Sequence, residues 1–359
     1  MNSVLDVRKY SRLVVCGDIH GDYTAFLRIL REAGLCTVPD SMLSQAQLCM
    51  LSRKAMKQTL HWLDPEAGLI LLGDVVDGVR RGSTWMCGHS GHMHGVVDHH
   101  DNSYANPLEA QQQLIFDTIE HLQKSHGARI HVLLGNHDVG NLVGNPGFCA
   151  FANGVCDAAG SFLNTSTYSH AGAYQALYRK IRACHLCMVV HNGTRRNGIL
   201  LCHGGFNDLE NDARALGLTN GGFLVWRRNL NVINRVGRDL VMGTGAEREA
   251  AIARYAETEF KQPTWGRPGS FEGMQVDALQ KYFGCRTMIK AHDGKATVHC
   301  VGQATTGSAQ TTSGVVVPFG QKRLCFADRY MSQAFGPLGT RVYGYFEITK
   351  EGIRPFNFK

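Results

Sequence analysis

Five short apolar stretches of the chain lead to residues that carry metal-binding or acid–base groups. The stretches are residues 13–16, 69–72, 132–134, 199–202 and 287–291. Short runs of this kind, bounded by glycine and polar residues, predict buried β-strands. The polar residues that follow these strands are Asp18, Asp74, Asn136, His203 and His292. Because side chains just beyond the carboxyl ends of neighbouring strands converge in one crevice, we expect these turns to share one site.

Other segments predict helices and a hairpin. Residues 23–32 carry apolar side chains on one face, and Asp22 stands at the N-cap position. Pro107 opens a second helix that extends to about residue 124, and residues 222–282 are mainly helical in pattern. The turn signals within residues 187–202 predict a β-hairpin.

The order of these elements predicts an α/β fold of the α+β sandwich type, with two mixed β-sheets flanked by helices. Three more strands are predicted near the carboxyl terminus, at residues 314–319, 323–327 and 341–348. We find no repeat, low-complexity linker or sharp change of composition, so we expect one domain over residues 1–359 whose two sheets share the rim that carries the site. Insertions are predicted at about residues 36–66 and 83–106.

Composition favours a soluble protein of the cytoplasm that does not enter a membrane. Hydrophobic residues make up 44% of the chain, but no apolar run reaches the roughly 18 residues that a membrane span needs. The first residues lack the apolar centre of a signal peptide. The 12 cysteines are scattered, and several fall in predicted strands. We therefore expect reduced, mostly buried thiols.

The chain is moderately basic, with 37 lysines and arginines against 30 aspartates and glutamates and a net charge of +7. This surplus is compatible with an anionic substrate. The basic residues form no runs and are not interleaved with aromatic residues, so nucleic-acid binding is not indicated.

The polar groups at the strand ends have the chemistry of a transition-metal site. They are Asp18, His20, Asp74, Asn136, His203 and His292. Carboxylate and amide oxygens together with imidazole nitrogens, without a thiolate, suit Mn, Fe or Zn better than Ca or Mg. One carboxylate that bridges two divalent ions is the obvious way to hold such a pair.

Residues 83–106 form an unusual segment that is rich in histidine and glycine. Its possible metal ligands are Cys87, His89, His92, His94, His99 and His100. Two interpretations stay open: a metal site of its own, or a surface insertion with solvated histidines.

Taken together, the strand ends resemble the calcineurin-like metallophosphoesterases, and within them the serine/threonine phosphoprotein phosphatase branch. The matching motifs, in the family's order, are GDIHG at 17–21, GDVVD at 73–77, GNHD at 135–138, HGG at 203–205 and AH at 291–292. Asp138 stands where eukaryotic members mostly have glutamate, and in this the chain is similar to the bacterial and bacteriophage phosphatases and to the diadenosine tetraphosphatases. The resemblance covers residues 13–293 and implies the metallophosphoesterase fold, with a dinuclear metal site at the strand ends.

The resemblance also implies how the ligands divide between the two ions, with Asp74 as the bridge. One ion would be held by Asp18, His20 and His292, and the other by Asn136 and His203. A water shared by two cations loses its proton near neutral pH and attacks phosphorus in line, so no covalent enzyme intermediate is expected. His137 is implied to protonate the leaving oxygen, with Asp77 orienting its ring.

The phosphate clamp departs from the family pattern. Members usually carry arginine directly after the second aspartate of the second motif, whereas Gly78 follows Asp77 here. Arg80 or Arg81 could take over this contact. A further candidate is Arg267, which lies in an element similar to the W-x-R of bacterial members. A guanidinium suits the role because its fork matches two phosphate oxygens.

We carry three hypotheses for the function. The leading one is a metallophosphatase, a phosphoric monoester hydrolase that acts on phosphoserine and phosphothreonine in proteins. The second is a hydrolase of dinucleoside polyphosphates of the diadenosine tetraphosphate type, which would need a base-stacking pocket. The third is a non-catalytic scaffold that binds a partner through residues 36–66 or 83–106. The intact set of metal ligands argues against a scaffold.

Overall fold

The computed structural model describes residues 3–47, 50–76, 107–143, 171–194, 196–268, 274–292, 297–302, 309–310, 313–327 and 343–358. Within these ranges, two mixed β-sheets are flanked by helices, which confirms the predicted fold class. The described strands are β1 (Val4–Asp6), β2 (Leu13–Cys16), β3 (Gly68–Leu71), β4 (Arg129–Val132), β5 (Cys187–His191), β6 (Gly198–Cys202), β7 (Cys285–Lys290), β8 (His299–Gly302), β9 (Ala309–Gln310), β10 (Val317–Pro318), β11 (Arg323–Phe326), β12 (Tyr343–Ile348) and β13 (Gly352–Phe358).

Helices separate many of the strands along the chain. They are α1 (Tyr23–Glu32), α2 (Asp40–Gln47), α3 (Arg53–Thr59), α4 (Pro107–His126), α5 (Asn136–Val143), α6 (Ala171–Lys180), α7 (Leu209–Ala215), α8 (Phe223–Met242), α9 (Ala246–Tyr255), α10 (Thr258–Trp265) and α11 (Val276–Phe283). The predicted cap of α1 is confirmed, since the side chain of Asp22 accepts a hydrogen bond from the Ala25 amide at 2.9 Å. No helix within the described ranges is both long enough and apolar enough to cross a membrane.

The order of strands is β1–β5–β6–β7–β11–β8–β9 in one sheet and β10–β13–β12–β2–β3–β4 in the other. Strands β2, β3 and β4 are parallel, with Cys16 beside Leu71 and Leu71 beside Val132. In the other sheet, β6 and β7 are parallel, with Cys202 beside Lys290. Within each sheet, this register brings the carboxyl ends of the predicted strands to matching levels, which is a condition for a shared site.

The two sheets pack against each other through alternate side chains of their strands. Along β2, Leu13 and Val15 join the cluster between the sheets, whereas Val14 and Cys16 join the cluster under the helices. This separation follows from the period of two residues in a strand. Both faces of the central strands are therefore buried, which explains their continuous apolar runs.

One pair of cysteines differs from the expected reduced state. Cys300 and Cys325 form a disulfide, so the prediction of free thiols is wrong for these two residues. The reason is that β8 pairs antiparallel with β11 and sets Cys300 directly opposite Cys325, with 3.9 Å between their Cα atoms. Strand β8 has no clear apolar alternation, and the sequence analysis did not predict it.

The predicted domain division stays a prediction. Residues 36–66 contain α2 and α3, whereas the second insertion, residues 83–106, lies outside the described residues.

The interior between the sheets offers a direct test of the fold. Phe346 on β12 is fully buried in this cluster, so Phe346→Ala is expected to lower the free energy of unfolding by about 3–5 kcal/mol through lost contacts and a cavity. Val315→Ala, at a position that is 51% exposed, should stay within about 0.5 kcal/mol of wild type. Urea denaturation measures both, and equal losses in the two variants would contradict the packing described here.

Candidate metal centre

The turns beyond the strand ends bring seven polar side chains together. They are Asp18, His20, Asp74, Asn136, His137, His203 and His292. The first six are buried and His292 is partly buried. Main-chain hydrogen bonds connect the turns: the His20 amide donates to the Asp74 carbonyl at 2.8 Å, and the Ala291 amide donates to the His203 carbonyl at 2.8 Å. The six residues predicted to bind metal therefore lie in one site.

One group of donor atoms surrounds the Nε2 atom of His203. It lies 2.9 Å from Asn136 Oδ1, 3.1 Å from His292 Nδ1 and 3.3 Å from Asp74 Oδ2. A ring nitrogen carries at most one proton, so one hydrogen bond cannot satisfy all of these contacts. A cation can, because donor atoms bound to one ion at about 2.0–2.2 Å are separated by roughly 3.0–3.5 Å. These residues therefore fit a metal ion.

A second group of donor atoms approaches the same oxygen atom of Asp74, Oδ2. The Nε2 atom of His20 is 3.8 Å from Asp74 Oδ2 and 3.8 Å from Asp18 Oδ2. The Nε2 atom of His137 is 3.9 Å from Asp74 Oδ2. The ligand atoms of His20, Asp74 and His137 lie within 4.8 Å of one another, as do those of Asp74, His203 and His292. Asp74 belongs to both groups, which is the geometry of a bridging carboxylate.

The comparison with known protein families agrees with this arrangement. Residues 11–295 match the family described as calcineurin-like phosphoesterase. The chain belongs to this family. Its members hydrolyse phosphoesters and typically depend on two metal ions, and the two groups of donors in this phosphoesterase suit such a pair. No curated protein matched the sequence.

Two solved structures share the fold at low sequence identity, and a third gives a weaker match. A cold-active protein-tyrosine phosphatase from a psychrophilic Shewanella species has 13% identity and a TM-score of 0.52, and the match covers 100% of this chain and 83% of that chain. A point mutant of a cold-active protein tyrosine phosphatase has 14% identity and a TM-score of 0.53, with 100% and 83% covered. A protein serine/threonine phosphatase from Saccharomyces cerevisiae has 13% identity and a TM-score of 0.43, with 100% and 84% covered. At these identities the first two matches establish the fold of the phosphoesterase and not its substrate.

The grouping of His292 differs from the division implied by the resemblance. His292 was expected to share an ion with the GDIHG motif, but its Nδ1 atom joins the donors around His203. The cause is the main-chain hydrogen bond from Ala291 to His203, which aligns the turn after β7 with the turn after β6. Sequence order carries no information about this alignment between neighbouring strands.

Three of the donor residues have a left-handed backbone. The φ angles are 48° for His20, 48° for Asp74 and 67° for His292, a region that side chains other than glycine adopt at a cost. Gly73 and Gly135 allow the close approach of the turns: a Cβ atom on Gly73 would lie 2.3 Å from the Gly135 nitrogen. The strained backbone aims these side chains into the site.

Asp138 has a structural role that the sequence analysis did not assign. Its carboxylate accepts hydrogen bonds from the Gly135 amide at 2.8 Å, the Val75 amide at 3.0 Å and the Tyr178 hydroxyl at 2.5 Å. Burial and then the charge of Asp74 raise the pKa of Asp138 to about 6. Asp138 ties the turn after β3 to the turn after β4. Its motif position signalled importance, but its partner Tyr178 on α6 could not be inferred from local sequence.

The charges in the site are strongly coupled. Burial by itself would raise the pKa of Asp74, but His203, His137 and His20 outweigh it and hold that pKa well below the usual range. Burial, followed by the charge of His203, lowers the pKa of His292 to about 2. Asp74 is therefore ionised and His292 neutral at pH 7, and these are the protonation states in which both groups bind metals.

Of the remaining predicted site residues, Arg267 belongs to the described part of the chain. Asp77, Arg80 and Arg81 lie outside the described residues, so their roles stay predictions. Arg267 is exposed, and its positive charge contributes to the low pKa of His292. Its main-chain amide donates to Asn207 Oδ1 at 2.7 Å. The ring of the nearby Trp265 meets His292 edge to face, with 5.6 Å between the ring centroids.

Gly135 provides a test of the centre that replaces none of the donor residues. A Cβ atom at this position would lie 2.2 Å from Asp74 Oδ1, so Gly135→Ala should displace the shared carboxylate and weaken metal binding by roughly 10- to 100-fold. Metal titration followed by calorimetry or elemental analysis measures the change. Gly222→Ala, where a Cβ atom meets nothing within 4 Å, is the matched control, and equal affinities in the two variants would contradict a shared role for Asp74.

Proposed function

We propose that this phosphoesterase is a metal-dependent phosphomonoesterase of the serine/threonine phosphoprotein phosphatase branch. The observation that carries this proposal is the buried His137 imidazole, whose Nε2 atom lies 3.9 Å from the shared Asp74 carboxylate. An imidazole beside the reacting phosphate is suited to protonating a leaving oxygen near neutral pH. The net charge of +7 is compatible with phosphorylated, anionic substrates.

The presence of this acid favours alkyl phosphoesters over aryl ones. A phenol has a pKa of about 10, so a phenolate leaves without much help, whereas the alkoxide of serine or threonine is far more basic and needs a proton. The solved structures of similar fold include a protein-tyrosine phosphatase, so the fold is also compatible with an aryl leaving group. We therefore expect phosphoserine and phosphothreonine peptides to depend most on His137.

We propose that Asp74 bridges two divalent ions, with Mn as the first choice and Fe or Zn as alternatives. Asn136, His203 and His292 would hold one ion, and Asp18 and His20 the other. When bound, such ions supply positive charge that lowers the pKa of a water and offsets charge on the phosphoryl oxygens. Arg267, at the edge of the centre, is a candidate to hold a phosphate oxygen, and Arg80 and Arg81 are the other candidates.

A dinucleoside polyphosphate hydrolase is the second candidate. It would need an aromatic surface for a base, and the partly buried ring of Trp265 beside His292 is a group of this kind. A comparison of a phosphoserine peptide, a phosphotyrosine peptide and diadenosine tetraphosphate at equal metal loading separates the candidates. A higher kcat/KM for diadenosine tetraphosphate than for either phosphopeptide would overturn the proposal of a protein phosphatase.

Metal dependence is the first prediction from this proposal. Chelation should abolish turnover and Mn should restore it, because the proposed nucleophile is a water that bound metal ions activate. Asp74→Asn removes the charge that one side chain shares between two cations. It should lower activity by more than about 10²-fold, because even mutation of a residue that only hydrogen-bonds to a metal ligand typically lowers metal affinity or activity by about 10- to 100-fold. Asp277→Asn, whose side chain is 94% exposed, is the control. Full activity in protein that elemental analysis finds free of metal would rule the proposal out.

The role of His137 is the second prediction. His137→Asn should lower kcat on a phosphoserine peptide by roughly 10²- to 10⁴-fold, the usual contribution of a general acid. The loss should be much smaller on p-nitrophenyl phosphate, and the metal content should equal that of wild type. His61→Asn, at an exposed position, serves as the matched control. A lost metal ion in His137→Asn would instead identify His137 as a ligand.

A further inference from the structure

A pocket of about 510 Å³ opens between the edge strands of the two sheets. Strand β1 is the edge of one sheet and β4 is the edge of the other, and residues of both strands line the pocket together with the start of α8. The volume lies within the range of about 300–1,000 Å³ that small-molecule sites occupy. Arg129, at the pocket, begins β4, whereas Asn136 lies beyond the far end of this strand, so Arg129 and the metal centre lie toward opposite ends of β4.

The lining of the pocket carries an excess of positive charge. Its basic residues are Arg8, Lys9, Arg129 and Arg227, and its acidic residue is Asp6. Arg8 already neutralises Asp6 through contacts of 2.6 Å and 2.9 Å, and this pairing lowers the pKa of Asp6 to about 2. Among the described residues, no carboxylate pairs with the other three cations. Their charge is therefore available to an anion in the pocket.

Two of these cations are held in position by neighbouring groups. Arg129 donates a hydrogen bond to the Lys9 carbonyl at 2.6 Å, and its guanidinium lies 5.1 Å from the centroid of the Tyr10 ring. The guanidinium of Arg227 lies 5.9 Å from the centroid of the Phe223 ring. An arginine stacked on an aromatic ring loses less freedom on binding and keeps planar N–H groups for oxygen ligands.

His131 supplies a second, independent indication of a ligand. It lines the pocket, and both of its ring nitrogens are buried without a hydrogen-bond partner. Burial lowers the pKa of His131 to about 4, so the ring is neutral at pH 7 with one donor and one acceptor. A buried polar group without a partner is costly, and a rotation of this ring toward the pocket would let an oxygen or hydroxyl of a bound molecule remove this cost.

We propose that this pocket binds a small phosphorylated molecule of nucleotide size, separately from the metal centre. Arg129 and Arg227 hold its phosphate, and His131 bonds to a polar group of the remainder. Inorganic phosphate alone would fill only a small part of the volume, and the rings of Tyr10 and Phe223 offer apolar walls to a sugar or a base. This site does not depend on the proposed phosphatase activity.

Calorimetric titration of the metal-loaded protein with a non-hydrolysable phosphonate analogue of adenosine monophosphate tests the proposal. Binding should be saturable and should persist after chelation. The affinity should fall about 10- to 100-fold in Arg227→Gln and in Arg129→Gln, because each variant loses a charge-assisted hydrogen bond to the phosphate. Arg235→Gln is the matched control, because it lies on the same helix with its side chain 66% exposed. The Arg227→Gln protein should retain the wild-type turnover of p-nitrophenyl phosphate, which also verifies its folding.

Ribose 5-phosphate, inorganic phosphate and adenosine are the companion probes. The phosphonate and ribose 5-phosphate should bind more tightly than adenosine or phosphate. Binding that disappears on chelation and ignores both arginine variants would assign the ligand to the metal centre and overturn the proposal. Equal affinity for adenosine and its phosphonate, or no saturable binding of any phosphorylated probe, would overturn it as well.

Discussion

The carboxylate of Asp74, only 1% exposed and surrounded by the imidazoles of His20, His137 and His203, is the constraint on which the site depends. A buried anion is unfavourable unless positive charge or hydrogen bonds compensate it. Here the His137 amide donates to it at 2.9 Å, and its remaining oxygen faces two groups of potential ligands. This position of the side chain requires a left-handed φ angle at Asp74 itself, which is an unfavourable backbone conformation for a residue other than glycine.

The surrounding fold can be understood as the support for this one side chain. Parallel strands deliver three turns to the same level, and glycines let the turns approach to distances that a Cβ atom would prevent. Asp138 connects the turn after β3 to the turn after β4 by accepting hydrogen bonds from one main-chain amide of each turn, and it also accepts one from the Tyr178 hydroxyl. Preorganisation of this kind keeps ligands in place before any ion binds, which is what a hydrolytic metal centre needs.

Much of this arrangement could be predicted because each part has a local cause. The helix α1 and its Asp22 cap follow from apolar spacing and one hydrogen bond. The strands that end at the candidate metal ligands follow from short apolar runs that stop at glycine. What failed were features that depend on pairing between distant segments. The Cys300–Cys325 disulfide arises from the register of β8 against β11, and the position of His292 arises from the alignment of β6 with β7.

The sequence by itself determined the fold class and the chemical types of the donors, because apolar period and ligand chemistry are properties of single residues and their near neighbours. Only the tertiary structure decided which donors share an ion-sized space, because that depends on strand register and turn geometry. It also decided that Arg129 and Arg227, nearly 100 positions apart by their numbers, face one cavity. Arg129 lies on the edge strand β4, whereas Arg227 lies in the first turns of α8. They meet because the tertiary structure brings the start of this helix to the sheet edges, which no local pattern in the chain records.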